Sequence, residues 1–120
     1  MKLSILVPIL AAALTRADEL RYDTVYDIGN QSLVTVSCSN GANGLLTRGF
    51  TTFNSLPTVP NIGGSSAIPG FNSPQCGSCW NVTFTNAADI SKSLSITVID
   101  HAGSGFNVVS AQLAAYACGL

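Results

Sequence analysis

Apolar and polar residues alternate along three stretches of the chain, a pattern typical of strands with one buried face. Residues 33–38 alternate and are rich in β-branched side chains, which favour strands. Residues 80–85 place Trp80, Val82 and Phe84 on one face, and residues 94–99 repeat the pattern up to Asp100 and His101. A further strand is expected between Tyr22 and Tyr26.

The intervening segments contain turn-forming residues. The run 40–44 is made of Asn, Gly and Ala and predicts a tight turn or loop. The segment 57–74 carries four Pro and three Gly, which predicts irregular structure with a turn at 61–64, and 103–105 predicts another turn. The Ala-rich segment 110–117 predicts a helix with Ser110 as its N-cap, with a short strand as the alternative. These elements describe a small, mainly β domain.

The first residues read as a secretory signal peptide. Lys2 precedes a ten-residue apolar run from Ile5 to Leu14, and small residues follow up to Ala17. A membrane-spanning helix would need roughly 20 apolar residues. We therefore expect residues 1–17 to be removed, residues 18–120 to form one domain, and the protein to be secreted to the cell exterior or the cell wall.

Without residues 1–17, the composition is that of a chain with few charges and many uncharged polar residues. The whole chain is 47% apolar, only 9% charged, and carries a net charge of −1. Residues 18–120 carry −3, and Ser, Thr, Asn and Gly supply 42 of those 103 residues. So few basic residues give no electrostatic footprint for nucleic acid. A surface of hydroxyls and amides suits a neutral partner.

The four cysteines predict two disulfides in a secreted protein. They are Cys38, Cys76, Cys79 and Cys118, and spacing alone leaves three connectivities open. Pairing them in chain order would close loops of 38 and 39 positions. Each such loop would contribute roughly 4 kcal/mol in the loop-entropy model.

The motif Cys76-Gly77-Ser78-Cys79-Trp80 matches the sequence around the nucleophile of papain-like proteases. Such an enzyme also needs a His and an Asn held elsewhere in a larger fold, and His101 is the only histidine. No βαβ pattern surrounds the motif to suggest a thioredoxin-like pair. One His and four disulfide-forming Cys do not make a zinc site, so no metal or other cofactor is expected.

Among the acidic residues, Asp100 is the strongest candidate for binding. Asp23, Asp27 and Asp89 are the other aspartates considered. Asp100 follows an apolar strand and precedes a Gly-rich turn, where binding groups often lie. The alternative is an Asp that caps its own turn. Spacing pairs no second carboxylate with it, as glycoside hydrolysis would require.

Two N-glycosylation sequons are present, beginning at Asn30 and at Asn81. The first lies in a polar, turn-like stretch. The second lies in a predicted strand close to Cys79, where Asn81 should point outward. Both asparagines are candidate glycosylation sites.

Together these motifs resemble the cerato-platanin family of small secreted fungal proteins. The matching residues run in order along the chain: Tyr22-Asp23, Val36-Ser37-Cys38-Ser39-Asn40-Gly41, Gly44-Leu45, Phe53, Leu56-Pro57, Pro60-Asn61-Ile62-Gly63-Gly64, Cys76-Gly77-Ser78-Cys79-Trp80, Asp100, Gly105-Phe106-Asn107-Val108 and Cys118-Gly119-Leu120. The resemblance implies an expansin-like, six-stranded double-psi β-barrel. It also implies disulfides from Cys38 to Cys76 and from Cys79 to Cys118.

The resemblance further implies a non-catalytic protein that binds chitin or N-acetylglucosamine oligomers. Asp100 and Asn107 match residues of the family's saccharide groove, Tyr22 and Asp23 match a segment flanking it, and Trp80 matches a structural tryptophan. Expansin-like loosening of cellulose, self-assembly at interfaces and elicitation of plant defence, with a possible plant receptor as partner, are implied in the same way. No membrane or nucleic-acid partner is expected.

The chain departs from the family pattern after Val108. Nine residues separate Val108 from Cys118, fewer than the family usually has. We therefore expect a barrel that lacks a segment at its C-terminal end, with unpaired edge groups that favour aggregation. Two other functions remain open: a glycoside hydrolase on a similar barrel, and a surface-active structural protein with no specific ligand.

Overall fold

A computed structural model of the protein describes residues 19–103 and 106–118. The expected signal peptide and the greater part of the expected turn at 103–105 lie outside the described residues. The regular elements, in chain order, are β1 (Glu19–Tyr22), β2 (Ile62–Ser65), β3 (Cys79–Thr85), β4 (Ser91–His101), β5 (Phe106–Val109) and helix α1 (Ala111–Cys118). Three short 3₁₀ helices join them: Thr24–Asp27, Leu33–Thr35 and Phe53–Ser55.

The five strands form one mixed sheet in the order β1-β5-β2-β4-β3. β1 pairs parallel with β5, and β2 lies between β5 (antiparallel) and β4 (parallel). β3 and β4 form an antiparallel hairpin. In the described part of the chain this sheet is open, with β1 and β3 as its edges, whereas the resemblance implied a closed six-stranded barrel.

The structure confirms the two strands with strict alternation and the helix. β3 covers the predicted strand at 80–85, and β4 begins at Ser91, before the expected 94. Helix α1 begins after Ser110, whose hydroxyl accepts a hydrogen bond from the Leu113 N–H at 3.1 Å. The carboxylate of Asp27 accepts from the Ala111 N–H at 3.0 Å, so two side chains cap this helix.

The strand predicted at 33–38 is wrong. Leu33–Thr35 is a 3₁₀ helix, because the Ser32 hydroxyl accepts a hydrogen bond from the Val34 N–H at 3.2 Å and starts a helical turn. Val34 is 61% exposed, so the alternation there does not describe one buried face.

The strand expected between Tyr22 and Tyr26 is also largely wrong. β1 ends at Tyr22, and the Asp23 carboxylate caps the next 3₁₀ helix by accepting from the Val25 N–H at 2.9 Å. Tyr26 therefore lies in a helical turn.

The turn expected at 61–64 is a buried strand. Gly63 and Gly64 belong to β2, all of whose residues are buried. A Cβ at Gly63 would overlap the carbonyl oxygen of Val108 on β5, so the neighbouring strand can approach only a glycine here. The Gly-Gly pair therefore marks close strand packing.

One disulfide links the loops that pack on β4. Cys38 and Cys76 are bonded, with their Cα atoms 5.5 Å apart. The Cys38 N–H donates to the carbonyl of Ile99 at 3.1 Å, and the Gly77 N–H donates to that of Val98 at 2.9 Å. The bridge thus joins two irregular loops that are each held to one of two adjacent residues of β4.

The second expected disulfide involves the Cys118 side chain, which lies outside the described part of the structure. Cys79 is a free, exposed thiol at the start of β3. Its pairing with Cys118 therefore stays a prediction.

Replacing Cys38 and Cys76 together by Ala should lower the free energy of unfolding by about 2 to about 5 kcal/mol, because the bridge closes a loop of 38 positions. Urea denaturation measures this change. Val34→Ala is the control and should change stability by less than about 0.5 kcal/mol, because this side chain is 61% exposed. Equal losses in the two variants would contradict a dominant Cys38–Cys76 bridge.

Candidate functional site

Asp100 lies where the pairing of β4 with β2 shifts by one residue. Gly63 is opposite Val98, but Gly64 is opposite Asp100, so Ile99 is the extra residue of a bulge. Bulges redirect side chains near the ends of strands. Asp100 is half-buried at this position, next to the exposed His101.

Three protein donors hold the Asp100 carboxylate. Its Oδ1 accepts from the Ser37 N–H at 2.9 Å and from the His101 N–H at 2.8 Å. Its Oδ2 accepts from the Tyr26 hydroxyl at 3.3 Å. Asp100 therefore caps its own backbone and also joins distant segments. Because a carboxylate offers about four acceptor sites, roughly one remains for a ligand.

Tyr26 connects this carboxylate to the core. It is 5% exposed, and its ring stacks on Phe53 with the centroids 6.0 Å apart. A Cβ at Gly64 would lie 3.0 Å from the Tyr26 hydroxyl, so the glycine makes room for it. Burial, and then the nearby charge and hydrogen bond of Asp100, raise the pKa of Tyr26 well above its ordinary value. The phenol is therefore an uncharged hydrogen-bond donor.

Sequence reasoning missed Tyr26 as a site residue. Tyr26 and Asp100 are separated by 74 positions, and no local pattern links them. The one sequence signal is Asp23, a residue type that caps helices and so places Tyr26 in the first helical turn after β1.

Asp23 also acts on Tyr26. Its negative charge is a further cause of the raised pKa of Tyr26, smaller than burial and than the charge and hydrogen bond of Asp100. Asp23 is exposed and is already engaged with the Val25 N–H. Asp89 lies apart, with a φ of 65° in the turn between β3 and β4.

Asn107 and Tyr22 lie on other strands. Asn107 on β5 is opposite Ser65 on β2, which in turn is opposite His101 on β4. Asp100 belongs to the neighbouring row of the sheet, and adjacent rows point to opposite faces. The register therefore groups Asn107 with His101 rather than with Asp100.

Tyr22, at 63% exposure, is opposite Val109 on β5. Its strand, β1, is three strands from β4 in the sheet, a separation of roughly 14 Å at the usual strand spacing. A ligand touching both Asp100 and Tyr22 would have to be extended.

His101 has a fixed ring orientation. Its Nδ1 lies 2.7 Å from the carbonyl oxygen of Ile68. Because a carbonyl only accepts, Nδ1 carries the proton and Nε2 is the acceptor of the neutral ring. In the row of the sheet formed by Asn107, Ser65 and His101, this exposed imidazole is therefore a polar group beside Asn107.

Tyr26 also lines a cleft on the side of the 3₁₀ helix. This cleft has a volume of about 360 Å³. Its polar lining comes from Asp27, Asn54 and Gln112, and Pro60 contributes an apolar wall. The site around Asp100 thus borders a small concave surface of mixed polarity.

The remaining candidates lie at the surface. Asn30 and Asn81 are both exposed, in a turn and on β3 respectively. Trp80 is 43% exposed and its ring N–H donates to the Ser78 hydroxyl at 2.8 Å. Within the described ranges no three His, Cys, Asp or Glu side chains group as metal ligands, and no helix is long and apolar enough to cross a membrane.

Comparison with known proteins places these features in a family. Residues 19–119 match the cerato-platanin family model. The chain is 50% identical over 103 residues to the Allergen Asp f 15 homolog of Arthroderma benhamiae, a match covering 86% of this chain. That match covers 48% of the relative, so the chain spans about half of its length.

Two solved structures are similar to this fold. The crystal structure of cerato-platanin 2 from M. perniciosa superposes with a TM-score of 0.77 at 45% identity, covering 87% of this chain and 82% of that one. The solution structure of the fungal elicitor Cerato-Platanin superposes with a TM-score of 0.70 at 34% identity, covering 83% and 78%. The sequence motifs, the disulfide between Cys38 and Cys76 and these matches agree: the chain belongs to the cerato-platanin family.

Proposed function

We propose that this protein is a secreted, non-catalytic protein that binds chitin or N-acetylglucosamine oligomers at the surface around Asp100. The observation that carries the proposal is the pre-oriented Asp100 carboxylate, held by Tyr26 and two backbone N–H groups. A fixed acceptor can bind a sugar hydroxyl or amide without first losing side-chain entropy.

The electrostatics of this surface support a neutral ligand. Among residues 18–120 there are three basic side chains, Arg21, Arg48 and Lys92. Arg48 donates to the carbonyl of Cys76 at 3.0 Å, and the Lys92 ammonium lies 4.7 Å from the centre of the Tyr116 ring. Hydrogen bonding rather than charge pairing would therefore dominate recognition.

An extended oligomer is the best match to the predicted residues. Asp100 on β4 and Asn107 on β5 lie in adjacent rows that point to opposite faces, so a chain of sugars would have to pass around the end of the sheet to contact both. Tyr22 would offer its exposed ring to an apolar sugar face.

The hydrolase alternative is less well supported. Hydrolysis by two carboxylates needs one to protonate the leaving oxygen and the other to act on the sugar or on water. Asp23 is the other carboxylate whose charge acts on Tyr26, but it accepts from the Val25 N–H and so caps the 3₁₀ helix. Asp27 is also engaged, because it caps α1. A reducing-sugar assay on chitin oligomers should therefore detect no product.

Family membership extends the proposal to the biological setting. We propose that residues 1–17 direct secretion, that the protein loosens cell-wall polysaccharide in an expansin-like manner, and that plants detect it. Detection by plants is proposed because the protein of the similar solution structure, at 34% identity, is named as a fungal elicitor. A disulfide between Cys79 and Cys118 is part of the same proposal.

Asp100→Asn should weaken binding of chitin hexamer at least about tenfold, because hydrogen bonds to charged groups contribute about 1.5 to about 3 kcal/mol. Isothermal titration calorimetry measures the change. Asp89→Asn is the matched control, since it removes the same charge at an exposed turn where Asn tolerates the positive φ. Equal affinity of the wild type and Asp100→Asn would refute this site, and no binding by the wild type would favour a surface-active protein without a specific ligand.

Tyr26→Phe should lower the free energy of unfolding by about 1 kcal/mol near neutral pH, because it removes the hydroxyl bonded to Asp100. Folding raises the pKa of Tyr26, so its contribution is fully present below the unfolded value of about 10 and is lost at higher pH. The difference between wild type and Tyr26→Phe should therefore stay constant up to about pH 9 and shrink progressively as the pH rises above about 10.

Urea unfolding at several pH values measures this difference, with Tyr22→Phe as the control for losing an exposed hydroxyl. A gap between wild type and Tyr26→Phe that stays constant with pH would show that Tyr26 is not held neutral by its surroundings.

The purified protein, infiltrated into leaves, should trigger an oxidative burst. If saccharide binding and detection use the same surface, Asp100→Asn should reduce the burst while Asp89→Asn does not. A full response to Asp100→Asn would separate detection from saccharide binding.

A further inference from the structure

The outer edge of β3 has no partner strand among the described residues. β3 pairs with β4 along one side only and is the last strand of the sheet order. Such an edge presents a row of backbone N–H and C=O groups that can pair with another strand.

β3 lacks the features that usually protect an edge. Its sequence, Cys-Trp-Asn-Val-Thr-Phe-Thr, contains no charge and no proline. Its seven pairs with β4 run in unbroken register from Cys79 to Thr85, so no bulge twists the edge away. The other edge, β1, has four residues and includes Glu19 and Arg21. Edge strands are usually short or charged, which describes β1 but not β3.

The two faces of β3 differ in a way that favours pairing with itself. Trp80 is 43% exposed, and Val82 and Phe84 are half-buried, which makes one face partly apolar. Asn81, Thr83 and Thr85 are exposed and polar on the other face. If a second strand of the same sequence paired antiparallel with β3 and the pairing were centred on Val82, apolar side chains would lie opposite apolar ones and polar side chains opposite polar ones.

We propose that β3 pairs antiparallel with β3 of a second copy of this chain, about a two-fold axis at Val82. In this register Trp80 lies opposite the partner's Phe84, which gives two aromatic cross-strand pairs flanking the Val82 pair. Asn81 lies opposite the partner's Thr83. The two sheets join into one, and the two-fold axis closes the assembly at a dimer.

A neutral strand favours a second copy over a charged partner. The nearest cation of the hairpin, Lys92, lies over the ring of Tyr116 and not on the β3 edge. Seven paired residues bury less than a standard interface of about 1,600 Å². The dimer should therefore be weak and depend on concentration.

Trp80 provides a direct signal, because it is the only tryptophan of the chain. Burial of its exposed part should shift its fluorescence to the blue as the protein concentration rises. Analytical ultracentrifugation on the same samples, from a host that adds no N-glycans, should show monomer and dimer in the same concentration range.

Two lysine substitutions form a matched pair. Thr83 and Ser93 are directly opposite each other, both exposed, and their hydroxyls are 2.9 Å apart. Thr83→Lys places a charge on β3, whereas Ser93→Lys places the same charge on β4 and breaks the same hydroxyl contact. Thr83→Lys should weaken dimerisation about tenfold or more, because the two introduced lysines then lie on the same face as diagonal neighbours across the axis, where like charges repel. Ser93→Lys should dimerise like the wild type.

A second pair, Asn81→Lys and Ser95→Lys, repeats the comparison at the next register position. Urea unfolding checks that all four variants fold. A wild type that stays monomeric at millimolar concentration, or equal weakening by both members of each pair, would overturn the proposal. A series of species larger than the dimer would overturn it as well, since it would indicate an open assembly rather than a closed two-fold.

Discussion

The hydrogen bonds of the Asp100 carboxylate hold together segments that have little regular structure of their own. They join the end of β4 to the loop at Ser37 and to the N-terminal 3₁₀ helix through Tyr26. Hydrogen bonds to an ionised acceptor are roughly twice as strong as neutral ones. The next residue of the loop, Cys38, is bonded to Cys76 and donates to Ile99. One covalent link and one carboxylate therefore fix the same part of β4.

This arrangement limits what the site can do. A carboxylate with three protein donors keeps little capacity for a ligand, so it can orient a sugar but cannot by itself supply high affinity. For the sugar ligand proposed above, affinity would have to come from several contacts spread across the sheet. Such contacts suit a shallow site for an oligomer better than a deep pocket for a single sugar.

The sequence predicts those elements whose formation depends on local pattern. β3 and β4 alternate strictly and pair through a short hairpin, and Ser110 caps an Ala-rich helix, so all three were predictable. The strand at 62–65 was not, because it depends on Val108 approaching Gly63 from a distant part of the chain. The segment after Ser32 alternates like a strand, yet a single side-chain hydrogen bond turns it into a 3₁₀ helix.

In the candidate site, too, the residue that local sequence indicates was predictable and the residue that depends on distant contacts was not. Asp100 could be selected from its place at a strand end, but its partner Tyr26 lies 74 positions away and depends on Gly64 for space. The open edge follows from the connection after β5. Because β5 leads directly into α1, which Ser110 and Asp27 cap, this segment packs as a helix and does not add a strand beside β3. The same caps that stabilise the helix thus leave the outer side of β3 without a partner strand in the described part of the chain, and this is the side on which we propose that a second copy pairs.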